Sequence, residues 1–171
     1  MKNQKLRKTV FAALFAAIIC VATIVVRIPS PATNGFFNLG DCFVIIAGQL
    51  LGVGFGALAA GIGSCLADVF AGYVSFAPGT FVIKAVMGAV VALIYKVLAK
   101  KNAFAASIVS AIVSEVIMVL GYFGYEGLIL KFGLGAVGSI PANIAQGVVA
   151  IVLSVAVSAA LKKAKLIEKM Q

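Results

Sequence analysis

An all-α membrane protein, a bundle of six transmembrane helices with both termini cytoplasmic, is what this sequence predicts. Three observations predict it. Hydrophobic residues make up 63% of the chain and charged ones 11%, where soluble proteins carry about a quarter charged. At 171 residues a soluble domain must wet most of its outer surface, so a lipid-exposed bundle fits this composition better. The apolar residues form long runs broken by glycine, proline and charge, and the basic residues fall in clusters between alternate runs. The whole chain, residues 1–171, reads as one integral membrane domain.

The first helix is expected over residues 9–27. Its apolar stretch 10–26 has the length of a signal peptide, but no small-x-small cleavage site precedes the polar turn and further spans follow, so it reads as a span. After the turn Asn34-Gly35-Phe36-Phe37-Asn38-Leu39-Gly40, a second helix is expected over 41–53 and a third over 56–72. Glycines 52, 54 and 56 blur that boundary, because membrane helices tolerate glycine. The second is short for a hydrocarbon core that takes about 20 residues to cross. The fourth, fifth and sixth are expected over 80–98, 103–122 and 140–161.

Orientation follows from lysine and arginine. Lys2, Lys5, Arg7 and Lys8 precede the first span, Lys96, Lys100 and Lys101 follow the fourth, and Lys162, Lys163, Lys165 and Lys169 follow the sixth. Six spans place all of these on one side, which the positive-inside rule makes cytoplasmic; an odd number would split them. The formal charge of +9 is thereby explained without nucleic acid, for which no basic groove interleaved with aromatics exists.

Threaded this way, Asp41, Asp68, Lys84, Glu115, Asn143 and Gln146 all fall in the outer half of the bundle. Glu115 stands about twelve residues into a helix that starts inside, roughly 18 Å up at 1.5 Å per residue. Asn143 and Gln146, three apart, share a face. Ionisable groups in membrane segments are costly and usually functional, so this set is the candidate binding site for a polar solute. Carboxylates accept hydrogen bonds, amides donate and accept, and Lys84 supplies positive charge. Bland alternatives stand beside each: Asp41 capping the second helix, Lys84 snorkelling to headgroups or pairing with Glu115, and the amides bonding across helices. Phe36, Phe37, Tyr73, Phe76, Tyr122, Phe123 and Tyr125 lie near outer helix ends, either stacking on a ligand ring or forming the interfacial belt.

On the first helix Ala12 with Ala16, and Ala13 with Ala17, form small-xxx-small pairs that admit close helix approach. The glycine- and alanine-rich stretch 48–64 does the same, for internal packing or for a partner. It lacks the lysine-serine or lysine-threonine ending of a phosphate loop. Cys20, Cys42 and Cys65 have no Cys-x-x-Cys spacing and no histidine accompanies them, so they read as buried free thiols and no metal site is expected.

Several stretches resemble the substrate-binding S component of energy-coupling factor (ECF) vitamin transporters. They are Phe37-Asn38-Leu39-Gly40-Asp41, the segment from Gly61 to Asp68, and Tyr73 to Lys84 running into Met87-Gly88. The alanine pairs look like that family's A-x-x-x-A contact motif. The branch most similar is the one associated with hydroxymethylpyrimidine and pyridoxine-like compounds. The resemblance implies high-affinity capture of a vitamin at the outer face of a bacterial plasma membrane, with Asn38, Asp41, Asp68, Tyr73, Lys84, Glu115, Asn143 and Gln146 binding it. It implies a transmembrane T component docking at Ala12, Ala13, Ala16 and Ala17, and two ATP-binding subunits that hydrolyse ATP. The bundle then topples in the membrane to release its cargo inside. The chain itself would be no enzyme and hold no cofactor, and the loop from Ser30 to Gly40, with Pro29, Pro31 and Gly35 setting its bends, would act as a lid. Tetrapyrrole, flavin and pantothenate-like cargoes remain alternatives. So do a stand-alone secondary transporter using Asp68 or Glu115 as a coupling carboxylate and a scaffold protein, which would leave the depth-matched polar set unexplained.

Overall fold

The computed structural model describes residues 2–29 and 36–163. Five helices in it are long and apolar enough to cross a membrane: α1 (Lys2–Val25), α2 (Gly40–Phe70), α3 (Ala77–Leu98), α4 (Ala103–Gly124) and α5 (Ile140–Lys163). The protein is an all-α, multi-spanning membrane protein. Large apolar side chains such as Val25, Phe70, Leu120 and Val152 point outward, each more than half exposed, as a lipid-facing surface requires. The interior is closed by Ile19, Val44, Ile45, Met87, Val91 and Met118.

The expectation of six separate helices is corrected at one place. Segments 41–53 and 56–72 are joined in α2, and the only residue that leaves helical dihedrals is Gly52, at φ 78° and ψ −177°. No polar turn separates the two, so hydropathy runs on through the break. A side chain rarely tolerates that backbone conformation. Nothing lies within 4 Å of where a Cβ would stand, so conformation rather than space demands glycine. The chain reverses there. A Cβ on Gly56 would lie 2.9 Å from the Cα of Gly48, whereas eight residues of unbroken helix span about 12 Å.

Two arms of α2 therefore lie against each other, 40–51 and 53–70, and α3 packs on both. A Cβ on Gly48 would stand 2.7 Å from the carbonyl oxygen of Gly88, and one on Gly88 would stand 2.8 Å from that of Gly56. Three helical backbones meet at these glycines, an approach that only small residues permit. Asp41 faces Lys84 and Gly48 faces Gly88, so the first arm runs parallel to α3. Gly61 faces Phe81 and Gly56 faces Gly88, so the second arm runs antiparallel to it. Contacts from Gln146 to Asp41 and from Ser158 to Gln49 lay α5 along the first arm in the same direction.

Local signals account for the ends. Asn102 caps α4, its Oδ1 accepting from Phe104 N and Ala105 N at 3.0 and 3.1 Å, and Pro78 sits in the first turn of α3, where a missing N–H costs nothing. Helix α1 begins at Lys2 rather than near residue 9; the expected start marked where apolar sequence begins, not where helix does. A π turn (Tyr125–Ile129) and a 3-10 turn (Gly133–Ser139) carry the chain from α4 to α5. Between α1 and α2 the strands β1 (Arg27–Pro29) and β2 (Phe36–Asn38) pair antiparallel, Arg27 opposite Asn38, a pairing with no sequence signal. Of the proposed lid, residues 30–35, with Pro31 and Gly35, lie outside the described residues, as do Lys165 and Lys169.

Candidate functional site: a buried polar cluster

Asp41 opens α2 and is 1% exposed. Its Oδ1 accepts from the Lys84 ammonium of α3 in a buried ion pair, and its Oδ2 accepts from Gln146 Nε2 of α5 at 2.6 Å. Gln146 Oε1 in turn accepts from Asn38 N at 2.7 Å and from Asn38 Nδ2 at 3.3 Å, while Asn38 Oδ1 accepts from Gly40 N at 2.8 Å. One run of bonds thus ties the end of β2 to α2, α3 and α5. Lys84 Nζ also stands 5.3 Å from the centre of the Tyr122 ring, within cation–π range. The Tyr122 hydroxyl meets Thr80 Oγ1 at 2.9 Å.

Beside this satisfied network lie polar atoms that the protein leaves unmatched. Glu115 is 4% exposed and feels both Asp41 and Lys84, yet neither of its carboxylate oxygens has a hydrogen-bond partner among the described residues. Asp68, 5% exposed, has Thr80 and Lys84 for neighbours and keeps an unpartnered Oδ2. Ser114 Oγ and Asn143 Nδ2 are also without partners among the described residues. Buried polar atoms are nearly always paired, and leaving one unpaired costs about 1–3 kcal/mol. Among the described residues, three carboxyl groups, Asp41, Asp68 and Glu115, share the ammonium of Lys84. The cluster can therefore receive a guest rich in N–H and O–H donors that also carries a few acceptors.

The fold brings together Asn38, Asp41, Lys84 and Gln146, with Glu115 and Asp68 against them and Asn143 one turn from Gln146. Tyr73 stands at the rim. It is half-buried, its ring edge-on to Phe76 with centres 6.3 Å apart, and its backbone N donates to Asp68 O at 2.8 Å. Lys84, 2% exposed, does not snorkel, and it bonds Asp41 rather than Glu115. Sequence reading missed Thr80, one turn before Lys84 on α3, and Ser114, which precedes Glu115; only packing shows that either matters. It also passed over Glu126, buried in the π turn with Oε2 unpartnered.

Ala12, Ala13, Ala16 and Ala17 all line an apolar groove of about 590 Å³ between α1 and the second arm of α2, together with Phe55 and Ile62. Ala16 rests against Gly63, whereas Ala13 and Ala17 are exposed. Cys20 and Cys42 are buried free thiols, and Cys65 is a half-buried one.

Residues 3–163 match the family model described as the ECF-type riboflavin transporter, S component. A protein of Pyrococcus woesei, described as an uncharacterized protein in the gap 3′ region, is 34% identical over 145 residues, which cover 85% of this chain and 95% of the relative. A solved structure of the S component of a bacterial ECF transporter has the same fold, with a TM-score of 0.65 over 95% of this chain and 98% of that one, at 20% identity. The resemblance to the hydroxymethylpyrimidine and pyridoxine-like branch is thereby corrected. The stretches that carried it, 37–41, 61–68 and 73–84, hold the Asp41–Lys84 ion pair and the contact of Gly61 with Phe81, which join α2 to α3. S components bind their substrate without catalysing a reaction, so this is a vitamin-transport membrane protein and not an enzyme. With the match running almost from end to end, the chain belongs to the family of ECF-type riboflavin transporter S components.

Proposed function

We propose that this chain captures riboflavin at the buried polar cluster and carries it across the cell membrane as the S component of an ATP-driven importer. The observation that carries the capture reading is Glu115, buried with both carboxylate oxygens unmatched among the described residues. Riboflavin offers a ring N–H and several ribityl hydroxyls as donors, and ring carbonyls as acceptors for Asn143 Nδ2. Its lack of charge suits a site where three carboxyl groups face one ammonium; an anion such as pantothenate would be repelled. A T component and two ATP-binding subunits complete the machine in this reading, and the groove lined by the four alanines is where the T component docks.

Titration by quenching of flavin fluorescence tests capture. Tight one-to-one binding by the purified chain is expected, and no quenching at micromolar protein would remove riboflavin as the cargo. Ala17→Leu fills the exposed side of the groove and is expected to leave that titration unchanged. In proteoliposomes with the T component and ATPases it should cut ATP-driven uptake at least about tenfold, because close helix approach is lost. Full uptake by Ala17→Leu would move docking elsewhere, and uptake by the chain alone would point to a stand-alone transporter.

In the same reading both arms of α2 cross the bilayer, so the chain crosses six times and both termini are cytoplasmic. The antiparallel arms support this, and so does the meeting of Lys8, Lys96, Lys100 and Lys162 around one cavity, which the positive-inside rule assigns to the cytoplasm. Single cysteines at positions 100 and 131, on a cysteine-free background, are expected to label from opposite sides of sealed vesicles. Labelling from one side would refute the topology. The bacterial plasma membrane implied by the sequence is widened here to a prokaryotic one, since a relative comes from Pyrococcus woesei.

A further inference from the structure

At the end of the bundle opposite the polar cluster, a cavity of about 790 Å³ opens between α1, the turn of α2, α3 and α5. Four lysines line it: Lys8, Lys96, Lys100 and Lys162. No carboxylate does among the described residues. The positive-inside rule explains why lysines gather at this end, but not why four from three segments, the start of α1, the end of α3 with its following turn, and the end of α5, converge on one hollow with no counter-charge among the described residues.

The second observation lies in the wall. Gln49, three residues before the Gly52 break, lines the cavity and is 5% exposed. Its Oε1 accepts from Ser158 Oγ at 2.6 Å, and its Nε2 is the remaining donor. That Nε2 has no partner among the described residues. A buried donor left unpaired is as costly here as in the outer cluster, and in a cavity lined by four lysines an anion can satisfy it.

We propose that this cavity is a binding site for a phosphate group, supplied by the headgroup of an anionic phospholipid, with Gln49 Nε2 donating to a phosphate oxygen and the four lysines neutralising its charge. Basic pockets between helices at a membrane face suit acidic headgroups. The volume lies within the range of sites for small ligands, roughly 300–1,000 Å³. The arms of α2 and helices α3 and α5 all border the cavity, so an occupied site braces the turn at Gly52 against its neighbours. The site is separate from the outer cluster and stands whether or not riboflavin is the cargo.

Native mass spectrometry from detergent micelles tests it, with phosphatidylglycerol and phosphatidylcholine as competing probes and thermal unfolding with inorganic phosphate as a second arm. The parent chain is expected to retain one phosphatidylglycerol in preference to phosphatidylcholine. Lys100→Glu/Lys162→Glu should lower that retention about tenfold or more, and so should Gln49→Glu, which keeps the acceptor for Ser158 and replaces the donor. The exposed pair Lys5→Glu/Lys101→Glu carries the same charge change outside the cavity and is expected to retain the lipid. Unfolding temperatures without lipid check that each variant is folded. Stabilisation of the parent by millimolar phosphate, lost in the cavity variants, would support the phosphate site and name free phosphate as a source. Equal retention of both lipids with no effect of phosphate, or equal losses in the cavity and control variants, would overturn the proposal.

Discussion

Replacing Lys84 with methionine is expected to destabilise the protein by about 3–5 kcal/mol, because it strands the Asp41 charge in the bundle without its counter-ion. Asp41 is 1% exposed, so water cannot take the place of the ammonium, and methionine fills most of the volume without donating. The damage spreads to Gln146, which donates to Asp41, and through it to Asn38. Asp41→Asn in the same background removes the stranded charge yet keeps an acceptor for Gln146 Nε2, and the double variant should recover most of the loss. Equilibrium unfolding in mixed micelles measures all three proteins. A Lys84→Met variant as stable as the parent would show that the pair does not hold α2 to α3, and a double variant no better than the single would show that the stranded charge was not the cause.

Glu115→Gln is expected to do the opposite. Glu115 makes no side-chain hydrogen bond among the described residues, and it sits in the repulsive field of Asp41. Removing its charge should leave the unliganded protein as stable as before, or more so. Riboflavin affinity should fall about 10- to 1,000-fold, the loss of one charge-assisted hydrogen bond or two. Flavin titrations normalised to folded protein, run beside unfolding curves, separate binding from scaffolding. Lower stability with unchanged affinity would make Glu115 a structural residue and remove the observation on which the capture site rests.

Much of this was legible in the sequence because a bilayer is a demanding solvent. It forces long apolar helices, so α1, α3, α4 and α5 could be read from hydropathy alone, and it makes every buried charge conspicuous. Asp41, Asp68, Lys84, Glu115 and Gln146 were recognisable as one set from depth, since depth follows from counting residues along a helix. The N-terminal start of α1 was not, because helix continues past the apolar boundary at no cost in water. Nor was the cargo branch, because the most recognisable stretches are those that build the bundle.

What the sequence by itself determined is therefore the class of the molecule, the positions of its apolar segments and the level at which its polar groups gather. Tertiary structure alone decided who pairs with whom. Whether Lys84 turned to Asp41 or to Glu115 depended on how the arms of α2 fold back at Gly52 and how closely Gly48, Gly56 and Gly88 let three backbones approach. Hydropathy carries no azimuth. A helix can present a lysine at a given depth to any neighbour, and only packing fixes its rotation, which here leaves Asp41 satisfied and both Glu115 oxygens without a partner among the described residues.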